Sequence, residues 1–440
     1  MSRRQMHLLG HMCTGPTAHH NGSWRHPDSD VGDVLAPIRY QNLARIYERG
    51  LFDGVFIVDC PAITDMKTDV PSTAVEHGGQ LAMLDPILVL TAMSCVTSHL
   101  GLSATLTTTF NHPYAIARVF ATLDHLSHGR AGWNIVTSAD DTIARNFGIS
   151  EMGDKNLRYD QADQAVELCL KLWNGWDADA LKIDRATGQF ADPKKVHFVE
   201  YEGSMVKCHG AFTTPRSPQG HPVLMQAGAS PRGRDFAARW AEVIFTHQGS
   251  KVQMQEFYSD MKRRIREAGR NPDDCVILPS IDVIVGETLS RAQQRATEID
   301  AFASIRAGLQ VIETNLCLDL SQVPLDTPLA EIRPRKIMIT GLHENVLALR
   351  KDGRGLTLGE AALLQATTWW SPRLLGTADT VVDEMQDMFE SGCCDGFIIA
   401  QSLSPGGIEE FVDLAVPEMQ RRGLYRKKYN GQTFRENLKN

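Results

Sequence analysis

The 440-residue sequence has little of what marks membrane, secreted or nucleic-acid-binding proteins. No apolar run approaches the roughly 20 residues of a membrane-spanning helix. The amino terminus, MSRRQMHLLGHMCTG, has no sustained apolar core and no small-residue cleavage site, so we expect no signal peptide. A formal net charge of −8 argues against the basic face that nucleic acid requires. We therefore expect a cytoplasmic protein whose partners include neither a membrane nor nucleic acid.

Cysteine is present, but not in the patterns of disulfides or metal sites. The nine cysteines are scattered, odd in number and without paired metal-type spacing, and the adjacent Cys393 and Cys394 are poorly placed to bridge each other. We expect free thiols in a reducing compartment. His19, His20 and His26 crowd one short segment, but their spacing is irregular and no ligand set is completed. We predict no metal site.

Motifs of several common enzyme classes are also missing. There is no GxSxG nucleophile motif and no Walker motif, which argues against serine hydrolases and the common phosphoryl-transfer enzymes. No GxGxxG follows the first candidate strand, which argues against a dinucleotide-binding open sheet.

What the chain does contain is a regular alternation of short apolar strands and amphipathic helices, typical of parallel α/β folds. Eight such strands are the number in a closed (β/α)8 TIM barrel, and this is the predicted fold. A doubly wound open sheet is the alternative, because the pattern alone cannot show closure. The candidate strands are Met6–Cys13, Gly54–Asp59, Gly101–Thr108, Ala131–Val136, Val223–Ala227, Val243–Thr246, Val276–Val285 and Gly396–Ala400.

Two stretches interrupt the alternation. Residues 177–220 are polar with little periodicity, and residues 316–354 carry three prolines in a context poor in apolar residues. Both are too long for ordinary connections within an α/β unit. We predict a single domain over residues 1–440, with these two insertions covering the mouth of the barrel.

Polar residues at strand ends mark the candidate site, because α/β proteins bind ligands at the carboxyl ends of their strands. Asp59 ends the strand GVFIVD, and Thr105 lies on the strand GLSATLTTTF. Asn134 and Thr137 lie in and just after the strand AGWNIV. Asp59 could instead cap the following loop, and threonines are also ordinary strand formers.

The segment VLMQAGASPRGR offers a phosphate site. Its strand ends in Gly228, Ala229 and Ser230, whose small size lets backbone N–H groups approach an anion at the start of a helix. Ser230 followed by Pro231 is also a good helix start without any ligand. Both interpretations stay open.

The longest informative string, HPYAIARVFATLDHLSHGRAGWNIVTS, closely resembles the nitrilotriacetate and dibenzothiophene-sulfone monooxygenases, a branch of the bacterial-luciferase-like flavin monooxygenases. The resemblance continues over nearly the whole chain. Further matching segments are SWRHP, LFDGVFIVD, ARNFG, RYDQADQAVELCLKLW, PRSPQGHPVLMQAGAS and CDGFIIAQSLSPGGIEEFVDLAVPEMQRRGLYR.

The resemblance implies a two-component system. A luciferase-like barrel would bind FMN as FMNH2, which a separate NAD(P)H-dependent flavin reductase supplies in a transient encounter. The enzyme would use O2 to oxygenate a small organic molecule of the C–N, C–S or aromatic xenobiotic type. It also implies a homodimer or homotetramer.

Single residues carry over as well. Asp59, Thr105 and Asn134 match the flavin-contacting strand ends, while Tyr159 and Ser230 match the residues that hold the phosphate. Thr137, Gly228 and Ala229 adjoin these positions and complete the predicted cofactor site. Where relatives commonly have His, this chain has Lys155, which could attract the phosphate as a point charge.

Two histidines, His20 and His209, are candidates for substrate contact or proton delivery. Two other functions remain possible: an F420-dependent oxidoreductase that transfers hydride, and a barrel that holds a flavin without turnover. The string WNIVTS and the carboxyl-terminal match point away from the F420 enzymes.

Overall fold

The computed structural model describes residues 4–17, 19–63, 72–78 and 81–439. Its centre is a barrel of eight parallel strands, and each predicted strand is present with ends within one residue of those expected. The strands are β1 (His7–Cys13), β2 (Gly54–Val58), β3 (Gly101–Thr107), β4 (Ala131–Val136), β5 (Val223–Gln226), β6 (Val243–Thr246), β7 (Val276–Val285) and β8 (Gly396–Ala400).

Pairing between the strands closes the ring. β1 pairs with β2 on one side and with β8 on the other, and β6 pairs with β7 through the register Val243 to Val276. The barrel prediction is therefore confirmed, and the open-sheet alternative is wrong. A ninth parallel strand, Arg373–Gly376, was not predicted and pairs with the last four residues of β7.

Amphipathic helices surround the barrel. The helix Pro113–Leu126, for example, begins with the side chain of His112 capping a backbone N–H, and it buries Ile116, Phe120 and Leu123 on one face. In the described residues, no helix combines the length and apolar character needed to cross a membrane. The α-helices are Pro37–Arg49, Ser72–His77, Pro86–Ser94, Pro113–Leu126, Asp141–Asn146, Lys155–Trp173, Pro231–Trp240, Lys251–Glu267, Leu289–Asp300, Ile305–Leu316, Thr340–Ala348, Leu358–Thr368, Ala378–Glu390, Gly406–Glu410, Val416–Arg421 and Phe434–Leu438.

The amino-terminal end of the barrel is plugged. Phe434, on the short helix near the carboxyl terminus, is fully buried with barrel residues such as Leu9 and Met225. The ring of Phe434 lies where a Cβ at Gly101 would be, so the glycine makes room for the plug. The barrel is thus a filled core that opens only towards the carboxyl ends of its strands.

Two long segments leave the barrel pattern. Between β4 and β5 stand two exposed antiparallel hairpins, one over residues 181–191 and one over residues 198–211. Residues 301–371, which we call the cover, precede the ninth strand and contain the helices Ile305–Leu316, Thr340–Ala348 and Leu358–Thr368. The cover has its own apolar cluster, separate from the barrel core, which includes Leu309, Ile312, Leu358 and Trp370. The two predicted insertions overlap these segments.

Candidate functional site

A cavity of about 530 Å³ lies where the carboxyl ends of the strands meet the cover. This volume is typical of small-molecule sites. Its walls come from two sources. Barrel residues include Asp59, Thr137, Gln226, Phe245 and His247, and cover residues include Gln310, Asn345, Gln365 and Trp369.

Beside the cavity, β3 and β4 hold an oriented side-chain amide. Asn134 donates from Nδ2 to Oγ1 of Thr105 at 3.0 Å, and Thr105 donates in turn to the carbonyl of Ile57 at 2.9 Å. Asn134 is buried, yet its Oδ1 has no hydrogen-bond partner within the described part of the chain. Native proteins leave few buried acceptors unpaired, so this oxygen is suited to accept from an N–H group of a ligand.

Asp59 follows β2 directly and lines the same cavity. Burial raises the pKa of its carboxyl group to about 6, and the nearby negative charge of Asp85 adds to the shift. Perturbed carboxyl groups in clefts are typical of functional sites. Asp59 therefore exchanges its proton close to neutral pH.

At one end of the cavity, a phenol lies over two glycines. A Cβ on Gly228 would lie 2.9 Å from the hydroxyl oxygen of Tyr159, and one on Gly233 would lie 2.7 Å from it. Burial raises the pKa of the Tyr159 phenol, while hydrogen bonds with Thr137 and Ser230 oppose that shift. Glycine at both positions keeps open a small cradle of backbone and hydroxyl groups.

Ser230 caps a helix, as one of the two interpretations left open by the sequence expected, and it also lies at the cavity. Its Oγ accepts from the N–H of Gly233 at 3.2 Å and so caps the helix Pro231–Trp240. The same residue, with Gly228 and Ala229, lines the cavity. The positive end of a ten-residue helix thus points to the cradle, as in anion sites of many α/β proteins.

Two cations from one helix turn complete this end. Lys155 and Arg158 line the cavity, and neither forms an ion pair with a described residue. Burial lowers the pKa of Lys155, and the charge of Arg158 lowers it further. Nε of Arg158 is buried and has no hydrogen-bond partner among the described residues. An anionic ligand group would offset the repulsion between the two cations and would accept a hydrogen bond from the unpaired Nε of Arg158.

Two arginines, Arg232 and Arg234, follow Ser230 closely, but both already form ion pairs with carboxylates and so add little positive charge to the cavity. Arg232 pairs with Asp160 at 2.9 Å and with Asp163 at 2.5 Å. Arg234 pairs with Asp260 at 2.9 Å and donates to the Ala229 carbonyl at 2.8 Å. Their charges are therefore already compensated.

The cluster of histidines near the barrel mouth is neutral rather than cationic. Burial lowers the pKa of His19 to about 3 and that of His247 to about 4, and it lowers the pKa of His11 well below its usual value. The His19 ring hydrogen-bonds the carbonyl of Thr368, so it fastens the cover to the first strand's loop.

Neither candidate catalytic histidine lines the cavity. His20 is fully buried, with its Nε2 3.4 Å from a carboxyl oxygen of Asp300. His209 lies on the exposed hairpin, where its ring is 3.4 Å from Glu200 and largely open to solvent. Seven of the nine predicted cofactor residues line the cavity, whereas Thr105 and Asn134 lie on the adjoining strands β3 and β4 outside its lining. The two histidines are not among the lining residues.

The sequence predicted an insertion over the mouth at residues 316–354, but the prediction did not identify which cover residues line the cavity. Trp369 and Trp370 follow the helix Leu358–Thr368 with φ of 52° and 58°, in the left-handed region that non-glycine residues rarely occupy. Such strain costs about 1–3 kcal/mol per residue and clusters at functional sites. Trp369 lines the cavity, and its Nε1 is buried without a partner among the described residues. A tryptophan pair directly after a helix was the available signal.

Comparisons with known proteins agree with this geometry. The model of the luciferase-like monooxygenase family matches residues 19–394. The chain is 42% identical to dibenzothiophene-sulfone monooxygenase of Rhodococcus erythropolis (strain XP), over 99% of this chain and 97% of that protein. It is 34% identical to nitrilotriacetate monooxygenase component A of Aminobacter aminovorans, over 95% and 93% of the two. A crystal structure of riboflavin lyase with modified FMN and riboflavin matches with a TM-score of 0.89 and 31% identity, over 99% and 95% of the two chains. These similarities span both the barrel and the cover.

Proposed function

Because the chain belongs to the luciferase-like monooxygenase family and is a flavin-dependent monooxygenase, we propose that it uses FMNH2 and O2 to oxygenate a small organic molecule. A separate NAD(P)H-dependent reductase would supply the FMNH2. The relative named component A is one part of a multi-component enzyme, which supports this arrangement.

The observation that carries the proposal is the match between the cavity and the two ends of FMN. One end offers Lys155, Arg158 and the hydroxyl groups of Tyr159 and Ser230, which suits a phosphate. On the barrel side, Asn134 directly precedes the lining residue Ile135, and its buried Oδ1, unpaired among the described residues, suits an N–H of the ring system. The residues present therefore fit the cofactor.

The reduced flavin, when bound, supplies the chemistry of O2 activation. The protein has to hold the ring, orient the substrate and keep water away. Asn134 and Thr105 form a fixed pair for holding the ring, and Asp59 stands beside them with a pKa close to neutral pH. The cover closes the mouth against water. Thr137, Gly228 and Ala229 complete the cradle around the phosphate.

His20 takes a positioning role in this scheme. It contacts Asp300, which accepts from Arg373 at 2.7 Å, and Arg373 donates to the Thr367 carbonyl at 3.2 Å. The chain of contacts holds the end of a cover helix over the cavity. His209, exposed on its hairpin, has no part in the proposed site.

The test is anaerobic fluorescence titration with FMNH2, followed by rapid mixing with aerated buffer. We expect saturable binding and slower reoxidation of the bound flavin than of free FMNH2. Parallel titration with F420 tests the hydride-transfer alternative. Preferential binding of F420, or no binding of either, would overturn the proposal. Binding with unchanged reoxidation would favour a non-catalytic flavin protein.

The phosphate end can be tested by removing two hydroxyl groups. The double variant Tyr159→Phe, Ser230→Ala should bind FMNH2 at least about 150-fold more weakly, since hydrogen bonds to charged groups contribute about 1.5–3 kcal/mol each. Ser250→Ala is the matched control, because Ser250 also caps a helix but lies outside the cavity lining. Unchanged FMNH2 affinity in the double variant would exclude these residues from the phosphate site.

A further inference from the structure

The cover contributes a wall of the cavity that carries no charge. Its lining residues include Gln310, Thr314, Asn345, Gln365 and Trp369, and none of the described lining residues of the cover is Asp, Glu, Lys or Arg. Among the described lining residues, the cations are Lys155 and Arg158, and both belong to the phosphate end. A substrate held by the cover therefore meets no counter-ion for a carboxylate or sulfonate.

Arg373, which donates to a carbonyl at the end of the cover helix, is a buried cation whose charge is already neutralised. Arg373 donates to Asp282 at 2.5 Å and to Asp300 at 2.7 Å. The neighbouring His247 is neutral at physiological pH, because burial lowers its pKa to about 4. An anion would have to leave water without gaining an ionic partner, which is strongly unfavourable.

Aromatic rings form one side of the same wall. The indole of Trp369 lies 6.2 Å from the His247 ring, centroid to centroid, and the two planes are 32° apart. His247 in turn lies edge-on to Phe245 at 4.7 Å. Aliphatic side chains of Val311 and Leu342 line the cavity as well. Surfaces of this kind suit flat aromatic molecules, which gain both burial and stacking.

Two polar side-chain atoms in this uncharged wall have no hydrogen-bond partner in the part of the chain that the structure describes. Nε1 of Trp369 can only donate, and it is buried. Gln365 is 1% exposed, and its Oε1 is also unpaired. Both residues line the cavity four positions apart on one helix end. By contrast, Nε1 of the adjacent Trp370 donates to the Ala361 carbonyl at 2.8 Å.

The position of Trp369 is held from several sides despite its left-handed backbone. The carbonyls at the end of its helix accept hydrogen bonds from the N–H of Asn21 at 2.8 Å, from Arg373 and from His19. A strained residue that is fixed in this way, with its donor unused, is typical of a ligand contact.

We propose that Gln365 and Trp369 form the substrate subsite, and that it selects a neutral, planar aromatic molecule bearing an oxygen acceptor. The Trp369 N–H donates to that oxygen, and the indole, His247 and Phe245 form the aromatic wall. The inference rests on the proposed monooxygenase function and specifies the substrate class for the same cavity.

Three matched probes test the inference by isothermal titration calorimetry under argon, with the protein both free of flavin and saturated with FMNH2. They are 9-fluorenone, fluorene, which lacks the oxygen, and 9-fluorenone-2-carboxylate, which adds a negative charge. We expect 9-fluorenone to bind about fivefold to tenfold more tightly than fluorene, the effect of one hydrogen bond. On the FMNH2-loaded protein, where flavin occupies the cationic end, the carboxylate should bind at least about tenfold more weakly than 9-fluorenone.

Trp369→Phe keeps the aromatic ring and removes the N–H. It should abolish the preference for 9-fluorenone over fluorene and leave FMNH2 affinity unchanged. Trp370→Phe is the matched control, because it removes a donor that is already paired, and it should keep the preference.

Equal binding of 9-fluorenone and fluorene to the unaltered protein would overturn the inference. So would a preference that survives Trp369→Phe, tighter binding of the carboxylate, or a loss of FMNH2 affinity in Trp369→Phe, which would assign the donor to the flavin. Failure of FMNH2 to bind, with the preference for 9-fluorenone retained, would overturn only the proposed function.

Discussion

Strand β2 is only five residues long, and an aspartate stands at each of its ends. Asp53 precedes it at the plugged end of the barrel, and Asp59 follows it at the open end. At Asp53, burial alone would raise the carboxyl pKa, but Arg426 and His7 hold it below its usual value. At Asp59, burial raises the pKa to about 6, with no cation among the causes to oppose it. One residue type in one strand thus meets opposite electrostatic environments.

The hydrogen bonds show the same difference. Asp53 accepts from the N–H of Leu8 at 2.8 Å, from His7 at 3.1 Å and from Arg426. At the open end, Asn134 and Trp369 keep buried polar atoms without partners in the described chain. Paired polar groups stabilise the fold by themselves, whereas unpaired ones lower stability until a ligand arrives. The barrel separates these two roles by about the length of a strand.

The largest expected effect is the loss of stability when the buried ion pair at the plugged end is removed. Arg426→Met leaves Asp53 buried without its guanidinium, and removing one member of a buried pair costs about 3–5 kcal/mol. We expect a loss of this size in the free energy of unfolding, measured by urea denaturation. Arg263→Met, which removes a surface pair with Glu267, should cost less than about 1 kcal/mol. A loss below 1 kcal/mol for Arg426→Met would mean that His7 alone compensates Asp53.

A smaller and opposite effect is expected at the open end. Asn134→Leu removes the unpaired oxygen, so the flavin-free protein should keep its melting temperature or gain slightly, because no buried acceptor remains unsatisfied. FMNH2 affinity should fall about tenfold, equivalent to about 1.4 kcal/mol. Thermal melts with and without FMN, together with fluorescence titration, measure both quantities. A clear loss of stability without a change in affinity would assign Asn134 to the fold alone.

The smallest effect is a pH dependence at Asp59. Since the folded pKa of about 6 lies above the ordinary value of 3.8, the folded protein retains a proton that the unfolded chain releases between these values. Asp59 therefore lowers stability as pH rises from about 4 to 6, and the loss is complete above that window.

Asp59→Asn abolishes this ionisation. A shift of about two pKa units corresponds to about 3 kcal/mol at most, and solvent screening of this partly exposed carboxyl group reduces it to on the order of 1 kcal/mol. The flavin-free variant should gain that amount relative to the unaltered protein at pH 7.5, and almost nothing at pH 4. Urea denaturation at the two pH values measures the difference, and titrations elsewhere in the chain cancel in the comparison. A constant difference at both pH values would show that the pKa of Asp59 is not raised.

The barrel could be predicted from sequence because each strand is a short apolar run with clear ends. The strand Arg373–Gly376 escaped prediction because it begins with a charged residue and ends with a glycine, which leaves only two apolar residues between them. Closure was not predictable, since it depends on β6 meeting β7 through long-range pairing. Periodicity describes the faces of elements, whereas it does not describe which strands become neighbours.

The cofactor side of the site was predictable for the same reason that the strands were. Asp59 follows an apolar strand, Asn134 lies within one, and Ser230 begins the helix that follows one. Their predicted place near the mouth is therefore a matter of local sequence. Trp369 lies more than 130 residues after Ser230, the last of these three residues in the chain. Its N–H donor can be recognised only from the structure, as an atom without a partner among the described residues. His209 shows the converse error, because a histidine in a polar insertion gave no sign that its hairpin would point into solvent.

The cover has its own apolar cluster, and this has a consequence for how such enzymes diversify. Mutations that reshape its cavity-facing residues need not disturb the packing of the barrel beneath. Selection can therefore change substrate preference through mutations in the cover, while the barrel retains the residues that support the oxygen chemistry. For enzyme engineering, residues 301–371 are the segment to graft between relatives.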